Sequence, residues 1–409
     1  MKKRFLSAGL AVVMAASLTA CGGSDSASTT AAAAGESKAE GESAAAGESS
    51  AAADGAVFKI GGIGPVTGGA AVYGLAVQHG AEVAVKEINE AGGINGAQIE
   101  FQFQDDEHDA EKSVNAYNTL KDWGMQALVG TTTSAPCIAV ADKTAADNMF
   151  QITPSGSAVE CAANPNVFRV CYSDPAQGTA SAKYIGEHKL ASKVAVIYDS
   201  SDVYSSGIYE KFAQEAPNQG LEVVDAEAFT ADSNKDFSTQ LQKAKESGAE
   251  LVFLPIYYTE ASLILQQANT MDFAPQFFGC DGMDGILQVQ NFDVKLAEGL
   301  MLLTPFAADA TDDLTVKFVK SFEDAYGETP IQFAADAYDA MYVIKAAMEE
   351  ANVTPDMAAG DICDAMEGAM TKIKVDGLTG TNMTWTEDGE PEKDPKAVQV
   401  VDGAYKAME

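Results

Sequence analysis

Histidine is scarce in this 409-residue chain, with only His79, His108 and His188, and basic residues are outnumbered, 26 Lys and Arg against 60 Asp and Glu. The first shortage, joined to the lack of any G-x-S-x-G or H-E-x-x-H motif, leaves a hydrolase without its conventional machinery. The chain therefore reads as a non-enzyme. The second shortage gives a formal charge of −34, which removes nucleic acid and anionic lipid as partners of the folded part. The excess carboxylates read as a solubilising surface, because no Asp/Asn-spaced loop ending in Glu of the calcium-binding kind occurs. No C-x-x-C pair exists, so zinc and thioredoxin-like chemistry drop out. The Gly-rich turn Gly64-Pro65-Val66-Thr67-Gly68-Gly69 lacks the third Gly of G-x-G-x-x-G, where Thr67 stands, and the Lys of a phosphate loop, which argues against a nucleotide. No cofactor and no metal are expected.

Apolar runs are short as well. Lys2, Lys3 and Arg4 precede the run Phe5 to Ala16, and Leu18-Thr19-Ala20-Cys21 follows. A positive, an apolar and a small-residue region in that order predict a secretory leader over 1–20, too short and wrongly flanked to span a membrane. Its end resembles a bacterial lipobox, which implies that Cys21 carries lipid and tethers the protein to the membrane. Over 21–55 the composition falls to Ala, Gly, Ser and Glu with Lys38 the one base. Such a segment cannot bury enough apolar surface to order itself and is expected to be a tether reaching about 30 Å. Losing Lys2, Lys3 and Arg4 with the leader takes the charge from −34 to −37. The remaining length suits two domains.

Against these absences stands one informative stretch, Ala127 to Ala158. Ala127 to Val129 is a strand ending at Gly130; Thr131, Thr132, Thr133 and Ser134 follow, and Pro136 suits the first turn of a helix. Phe150 to Ile152 is the next strand, and Thr153, Pro154, Ser155, Gly156 and Ser157 make a second hydroxyl-rich loop. Two such loops one βα unit apart lie side by side at the carboxyl ends of parallel strands, where open α/β sheets bind ligands. Each is expected to present a Ser hydroxyl and free backbone N–H groups to a small carboxylate; taken singly, each also reads as an ordinary cap or turn. Cys137 and Cys161 lie just past these loops, so a bridge clamping them together and a pair of buried thiols are both open readings. With Cys21 set aside, Cys137, Cys161, Cys171, Cys280 and Cys363 are odd in number, so at least one thiol is free.

Elsewhere strands and helices alternate. Val57 to Ile63 is a strand, Tyr73 to Ala91 a helix stopped by Gly92-Gly93, Gln98 to Gln104 a strand, and Asp109 to Trp123 a helix. The acidic run Asp105 to Asp109 between the last two offers metal-ligating atoms, but adjacent carboxylates with one His and no i,i+4 spacing fit a solvated strand-end loop better. In the second half, strands are expected over Lys193 to Tyr198, Leu221 to Val224 and Leu251 to Ile256, and Leu300 to Thr304 is expected to cross back to the first domain. Asp199 to Tyr204 reads as a polar turn. Helices are expected over Gly207 to Ala216, Phe237 to Glu246, Glu260 to Met271, Leu314 to Tyr326 and Phe333 to Glu350, and Asp388-Gly389 signals a hairpin. The class is α/β with parallel sheets.

The turn Gly64 to Gly68, Tyr73-Gly74, Gly80-Ala81, Ile88 to Gly96, Ile152-Thr153-Pro154, Phe168-Arg169, Asp174 to Gly178, Lys235 to Ser238 and Gly377 to Gly380 together resemble the leucine/isoleucine/valine-binding proteins of bacterial transporters. The similarity runs from Val57 to the C-terminus. It implies the type I periplasmic binding fold, two Rossmann-like lobes of 56–175 plus 305–393 and of 176–304 plus 394–409. Three hinge crossings would join them, near Asp174 to Gln177, Thr304 to Phe306 and Pro391 to Pro395. Residue by residue, it places Ser134 and Ser157 on the carboxylate of an amino acid, the Ser155 carbonyl and Asp281 on its ammonium, and Tyr73, Tyr204, Tyr257 and Phe333 around it. Asp281 stands where the family usually has Glu. The implied role is an extracytoplasmic, monomeric solute receptor for a branched-chain amino acid, serving a permease and its ATPase; a ligand-sensing module or a non-amino-acid carboxylate ligand are the alternatives.

Overall fold

Eight consecutive residues of β1 (Val57–Gly64) pair in parallel with β2 (Gln98–Asp105), from Val57 opposite Gln98 to Gly64 opposite Asp105. These strands belong to a computed structural model that describes residues 55–393 and 395–408; the leader, Cys21 and the tether to Asp54 lie outside the described residues. On the other edge of β1 runs β3 (Ala127–Val129), then β4 (Phe150–Thr153) and β5 (Val167–Arg169), giving the all-parallel order β2-β1-β3-β4-β5. Helices α1 (Ala71–Glu90), α2 (Ala110–Trp123) and α3 (Ser134–Asp147) carry the chain between them. The fully apolar strand β3 is buried throughout, as a strand covered on both faces must be.

Helix α4 (Asp174–Glu187) leads into a second sheet of β6 (Lys193–Asp199), β7 (Glu222–Phe229), β8 (Leu251–Leu254), β9 (Gln276–Gly279) and β10 (Met301–Thr304). Its parallel part has the order β7-β6-β8-β9-β10, the same permutation as the first sheet. Helices α5 (Val203–Glu215), α6 (Ser238–Glu246) and α7 (Tyr258–Thr270) connect it. The chain then returns to the first sheet with α8 (Asp313–Tyr326), α9 (Gln332–Glu350) and α10 (Ala359–Met370), of which α9 lies along α1. Gly80 permits that close approach: a Cβ there would stand 2.0 Å from the Ala334 carbonyl oxygen. A short hairpin, β11 (Thr384–Trp385) and β12 (Pro391–Glu392), precedes β13 (Lys396–Val401), which extends the second sheet antiparallel to β10, and β14 (Ala404–Ala407), which pairs antiparallel with β13.

In both sheets the order reverses next to the first strand, between β1 and β3 and between β6 and β8. Loops at the carboxyl ends of strands diverge at such a switch point and leave a crevice. Two lobes built on one plan thus offer two crevices, and the residues considered below come from both.

Several expectations are corrected. Asp174 to Gln177, expected near the first crossing, form the opening turn of α4, with Pro175 in its first turn. The polar turn expected through Tyr204 closes at Asp202, whose carboxylate accepts from the Tyr204 N–H at 3.0 Å and starts α5 four residues before Gly207. Strand β7 runs to Phe229 rather than Val224, and β8 stops at Leu254 rather than Ile256.

Candidate functional site

The eight residues singled out from the sequence, Tyr73, Ser134, Ser155, Ser157, Tyr204, Tyr257, Asp281 and Phe333, line a single cavity between the sheets, together with Thr132, Thr133 and Gly282. It encloses about 10 Å³, far less than the several hundred Å³ usual for a small-molecule site. Ligand entry therefore requires the lobes to part or the ring side chains to turn.

On the first lobe, the two hydroxyl loops are laced together. The Ser134 Oγ, in the first residue of α3, accepts from the Ser157 N–H at 3.2 Å and the Ala158 N–H at 3.1 Å. Ser155 Oγ donates to the Thr132 carbonyl at 2.6 Å, and Thr153 Oγ1 to the Thr131 carbonyl at 2.7 Å. This corrects the expectation of free amides: those of Ser157 and Ala158 already have an acceptor. What remains for an anion is the Ser134 hydroxyl proton, the Ser157 hydroxyl and the α3 terminus. The Ser157 Oγ is buried, with the Asp174 carboxyl beside it and no hydrogen bond in good geometry. Thr133, at the N-cap of α3, leaves the helix without a side-chain cap and instead pairs its Oγ1 with His108 Nδ1 at 2.8 Å. An uncapped helix N-terminus beside two hydroxyls favours a carboxylate.

On the second lobe, Asp281 follows β9 in a short 3₁₀ turn. Its Oδ1 accepts from the Tyr204 hydroxyl at 2.8 Å and the Gly282 N–H at 2.7 Å, and its Oδ2 from Gln177 Nε2 at 2.9 Å. A carboxylate has about four acceptor positions, so one stays open on Oδ2. Burial pushes the Asp281 carboxyl up to about 6, while the bonds from Tyr204, Gln177 and Gly282 pull it back. An approaching cation would hold it ionised.

The aromatic residues close the space between these ends. Tyr73 stacks on Phe333 with centroids 4.2 Å apart, and Tyr204 stacks on Tyr257 at 4.9 Å. Tyr73, from α1 of the first lobe, donates to the Gly282 carbonyl and accepts from the Tyr258 N–H at 3.2 Å on the second. It is thus a strut across the cleft.

Sequence reasoning missed four contributors. Thr132 and Thr133 belong to the loop already noted. Gly282 is needed because a Cβ there would stand 2.5 Å from the Tyr204 hydroxyl oxygen. Gln177 stood inside the Asp174 to Gly178 run but was read only as hinge. Only the return of α4 beside Asp281 gives it a partner.

Beneath the second hydroxyl loop lies Arg169, fully buried. Its Nη1 donates to the carbonyls of Gly156 (3.3 Å) and Ser157 (2.6 Å), its Nη2 to those of Ala158 (3.0 Å) and Val159 (3.3 Å), and its Nε lies 3.3 Å from Glu390 Oε1. The planar fork holds the Ser157 loop in place, which an ammonium on a flexible stem cannot do. Arg169→Lys should lower the urea-unfolding free energy by about 2–4 kcal/mol, since the abandoned carbonyls are buried. It should also weaken ligand binding; an unchanged affinity would separate Arg169 from the site.

The bridge considered for Cys137 and Cys161 is not formed. All five described cysteines are buried thiols, and these two pack together with Ala158 behind the loops. The acidic run is likewise spent on the backbone. Asp105 accepts from Val66 N–H, Glu107 N–H and Thr67 Oγ1, Asp106 from His108 N–H, and Asp109 caps α2 through Glu111 and Lys112. Among the described residues no group of three or more His, Cys, Asp or Glu is placed to hold a metal, and no helix is long and apolar enough to cross a membrane.

The sequence profile described as "Periplasmic binding protein" matches residues 57–404. A Leu/Ile/Val-binding protein homolog 3 of Brucella melitensis is 32% identical over 285 residues, covering 69% of this chain and 76% of the relative. The leucine-, isoleucine-, valine-, threonine- and alanine-binding protein of Pseudomonas aeruginosa is 30% identical, covering 66% and 72%. Among solved structures, the branched-chain amino acid transporter substrate-binding protein LivJ of Streptococcus pneumoniae, in complex with isoleucine, superposes with a TM-score of 0.77 at 27% identity, over 86% of this chain and 99% of that one.

Proposed function

We propose, since this chain belongs to the family of periplasmic binding proteins, that it captures a branched-chain amino acid between its lobes outside the cytoplasmic membrane and delivers it to an ABC permease. The supporting observation is the polarity of one cleft: two Ser hydroxyls and an uncapped helix terminus on one lobe, a buried carboxylate on the other. A zwitterion is the ligand whose two charges match those ends at once. The ligand carboxylate accepts hydrogen bonds from the Ser134 and Ser157 hydroxyls. The ammonium donates to the open Oδ2 position of Asp281 and to the Ser155 carbonyl, and the apolar side chain lies among Tyr73, Tyr204, Tyr257 and Phe333. Because both lobes contribute, the ligand binds the closed arrangement more tightly than the open one and shifts the hinge equilibrium towards it. The closed form is the one a permease and its ATPase would accept, with the protein held as a monomer at the membrane by lipid on Cys21.

Calorimetric titration of protein unfolded and refolded to strip carried-over ligand, against a panel of amino acids, tests the reading. One-to-one binding of leucine, isoleucine or valine is the expected result; silence across the panel would overturn it. Ser134→Ala and Ser157→Ala should each weaken leucine binding about tenfold, the worth of roughly one hydrogen bond to a charged group. Ser134→Ala also unties the amides of Ser157 and Ala158, so its loss should be the larger. Equal affinities in wild type and both variants would move the carboxylate elsewhere.

A further inference from the structure

Three residues past Asp281 stands a second buried acid, Asp284, joined to it through the Asp284 N–H and the Asp281 carbonyl at 2.9 Å. Asp284 is 5% exposed. Its Oδ2 accepts from the Gln332 N–H at 2.8 Å, while its Oδ1 has no donor in good hydrogen-bond geometry; the Gly285 N–H and the Tyr405 hydroxyl, the latter 3.5 Å from the Met283 carbonyl, face the same carboxyl. A buried carboxylate oxygen left unpaired is costly, and such groups call for an explanation.

Asp284 lines a cavity of about 440 Å³ at the hinge, which shares no lining residue with the cleft. Its apolar walls are Leu287, Phe306, Val319, Ile331 and Val398. They come from both halves of the fold: Phe306 from the segment leaving β10 and Val398 from β13 in the second sheet, Val319 from α8 and Ile331 from the start of α9 against the first. The charged lining is lopsided. Asp309, Glu323 and Glu328 join Asp284 against Lys406 alone, and Lys406 already lies 3.7 Å from Asp309. Glu323 accepts from Thr329 Oγ1 at 3.2 Å, and Glu328 lies 3.8 Å from His79 Nδ1. Asp309, Glu323 and Glu328 are exposed, which leaves Asp284 as the one buried carboxylate of the four, and a volume of this size suits a small organic molecule.

We propose that the hinge holds a second binding site, separate from the cleft, for a small organic cation whose ammonium pairs with Asp284 and whose apolar body fills the space between Phe306, Val319 and Val398. An occupant there touches both halves of the molecule. It also bears on Asp284, whose backbone is tied to Asp281 and whose carboxylate is tied to the first turn of α9, next to Phe333. The site is thus mechanically connected to the cleft without overlapping it.

The test uses cyclohexylammonium chloride as the probe, titrated calorimetrically into the protein at neutral pH, with cyclohexanol as the uncharged match. One-to-one binding of the amine, at least tenfold tighter than that of the alcohol, is expected in wild type and in Asp281→Ala. Asp284→Asn should erase the preference for the amine. Ala308→Trp, at the half-buried rim of the cavity, fills it from outside and should abolish binding of both, which keeps the test decisive should Asp284→Asn fail to fold. Absence of saturable amine binding, equal binding of amine and alcohol, or binding that survives Ala308→Trp and disappears in Asp281→Ala would each overturn the proposal, the last by placing the amine in the cleft.

Discussion

Asp281→Ala is expected to lower affinity for the amino-acid ligand by at least 100-fold while the protein remains folded. The ligand ammonium, once enclosed between the lobes, has left water and needs an ionised partner, and truncating one member of a buried charge pair costs about 2–5 kcal/mol or more. No other carboxylate lines the cleft cavity. Folding survives because two effects oppose each other. The variant strands two donors, the Tyr204 hydroxyl and Gln177 Nε2, while the Gly282 N–H keeps the Tyr204 hydroxyl oxygen as acceptor at 2.9 Å, and it also removes an acid whose burial is unfavourable enough to raise its pKa to about 6. Calorimetric titration and a thermal melt on the same sample decide it. Undiminished affinity would sink the role given to Asp281, whereas a lost melting transition would show that the two stranded donors dominate. Asp281→Asn should fall between, since it keeps an acceptor for Tyr204 but supplies no charge.

The features legible in the sequence were those set by local pattern. The Ala127 to Ala158 stretch carries its own punctuation, Gly130 after an apolar triplet and Pro136 after a hydroxyl run, and β3, α3 and β4 form where that punctuation puts them. Asp109 was read as a helix start and caps α2 with two backbone bonds. Less legible was everything decided by a partner distant in sequence. Asp202 competes with Gly207 as the start of α5 and wins through one hydrogen bond to Tyr204 N–H; that choice turns Tyr204 from a turn residue into a helical one aimed at Asp281. Gln177 has no signal of its own, because its role exists only 104 positions from Asp281. The amides of Ser157 and Ala158 were expected to be free because each loop was considered alone, and Ser134 of the neighbouring loop takes them. Antiparallel β13 and β14 also break the parallel plan. Their alternation, with Ala397, Val398 and Val400 buried, resembles any edge strand until β10 is beside it.

Acidification should move stability and affinity in opposite directions. Burial raises the carboxyl of Asp106 to about 7 and those of Asp281 and Asp284 to about 6, against about 3.9 in an unfolded chain. The folded protein therefore binds these protons more tightly than the unfolded one. The stability these groups contribute is complete below about pH 4 and is lost as pH rises through 6 to 7. The shifts of about two units at Asp281 and Asp284 correspond to roughly 3 kcal/mol each at the limit, and that of about three units at Asp106 to roughly 4 kcal/mol. Carboxyls lowered in the fold, such as Asp105, Asp147 and Asp312, contribute the opposite slope only near or below their ordinary range, outside this window; His108, held below its ordinary range by burial, opposes the trend inside it as one group against three. Ligand-free protein should accordingly melt at a higher temperature at pH 5.5 than at pH 7.5. Binding runs the other way: the ammonium requires Asp281 ionised, so affinity should fall about tenfold per pH unit once pH drops below 6. Melts with and without saturating leucine at pH 7.5, 6.5 and 5.5 would show the ligand-induced increment shrinking while the ligand-free midpoint climbs. Asp284→Asn should flatten part of the ligand-free slope and leave the pH dependence of affinity in place, because Asp284 faces the hinge cavity and not the cleft. If instead the increment holds constant down to pH 5.5, the ammonium is not paired with a carboxyl titrating near 6, and Asp281 is not its partner.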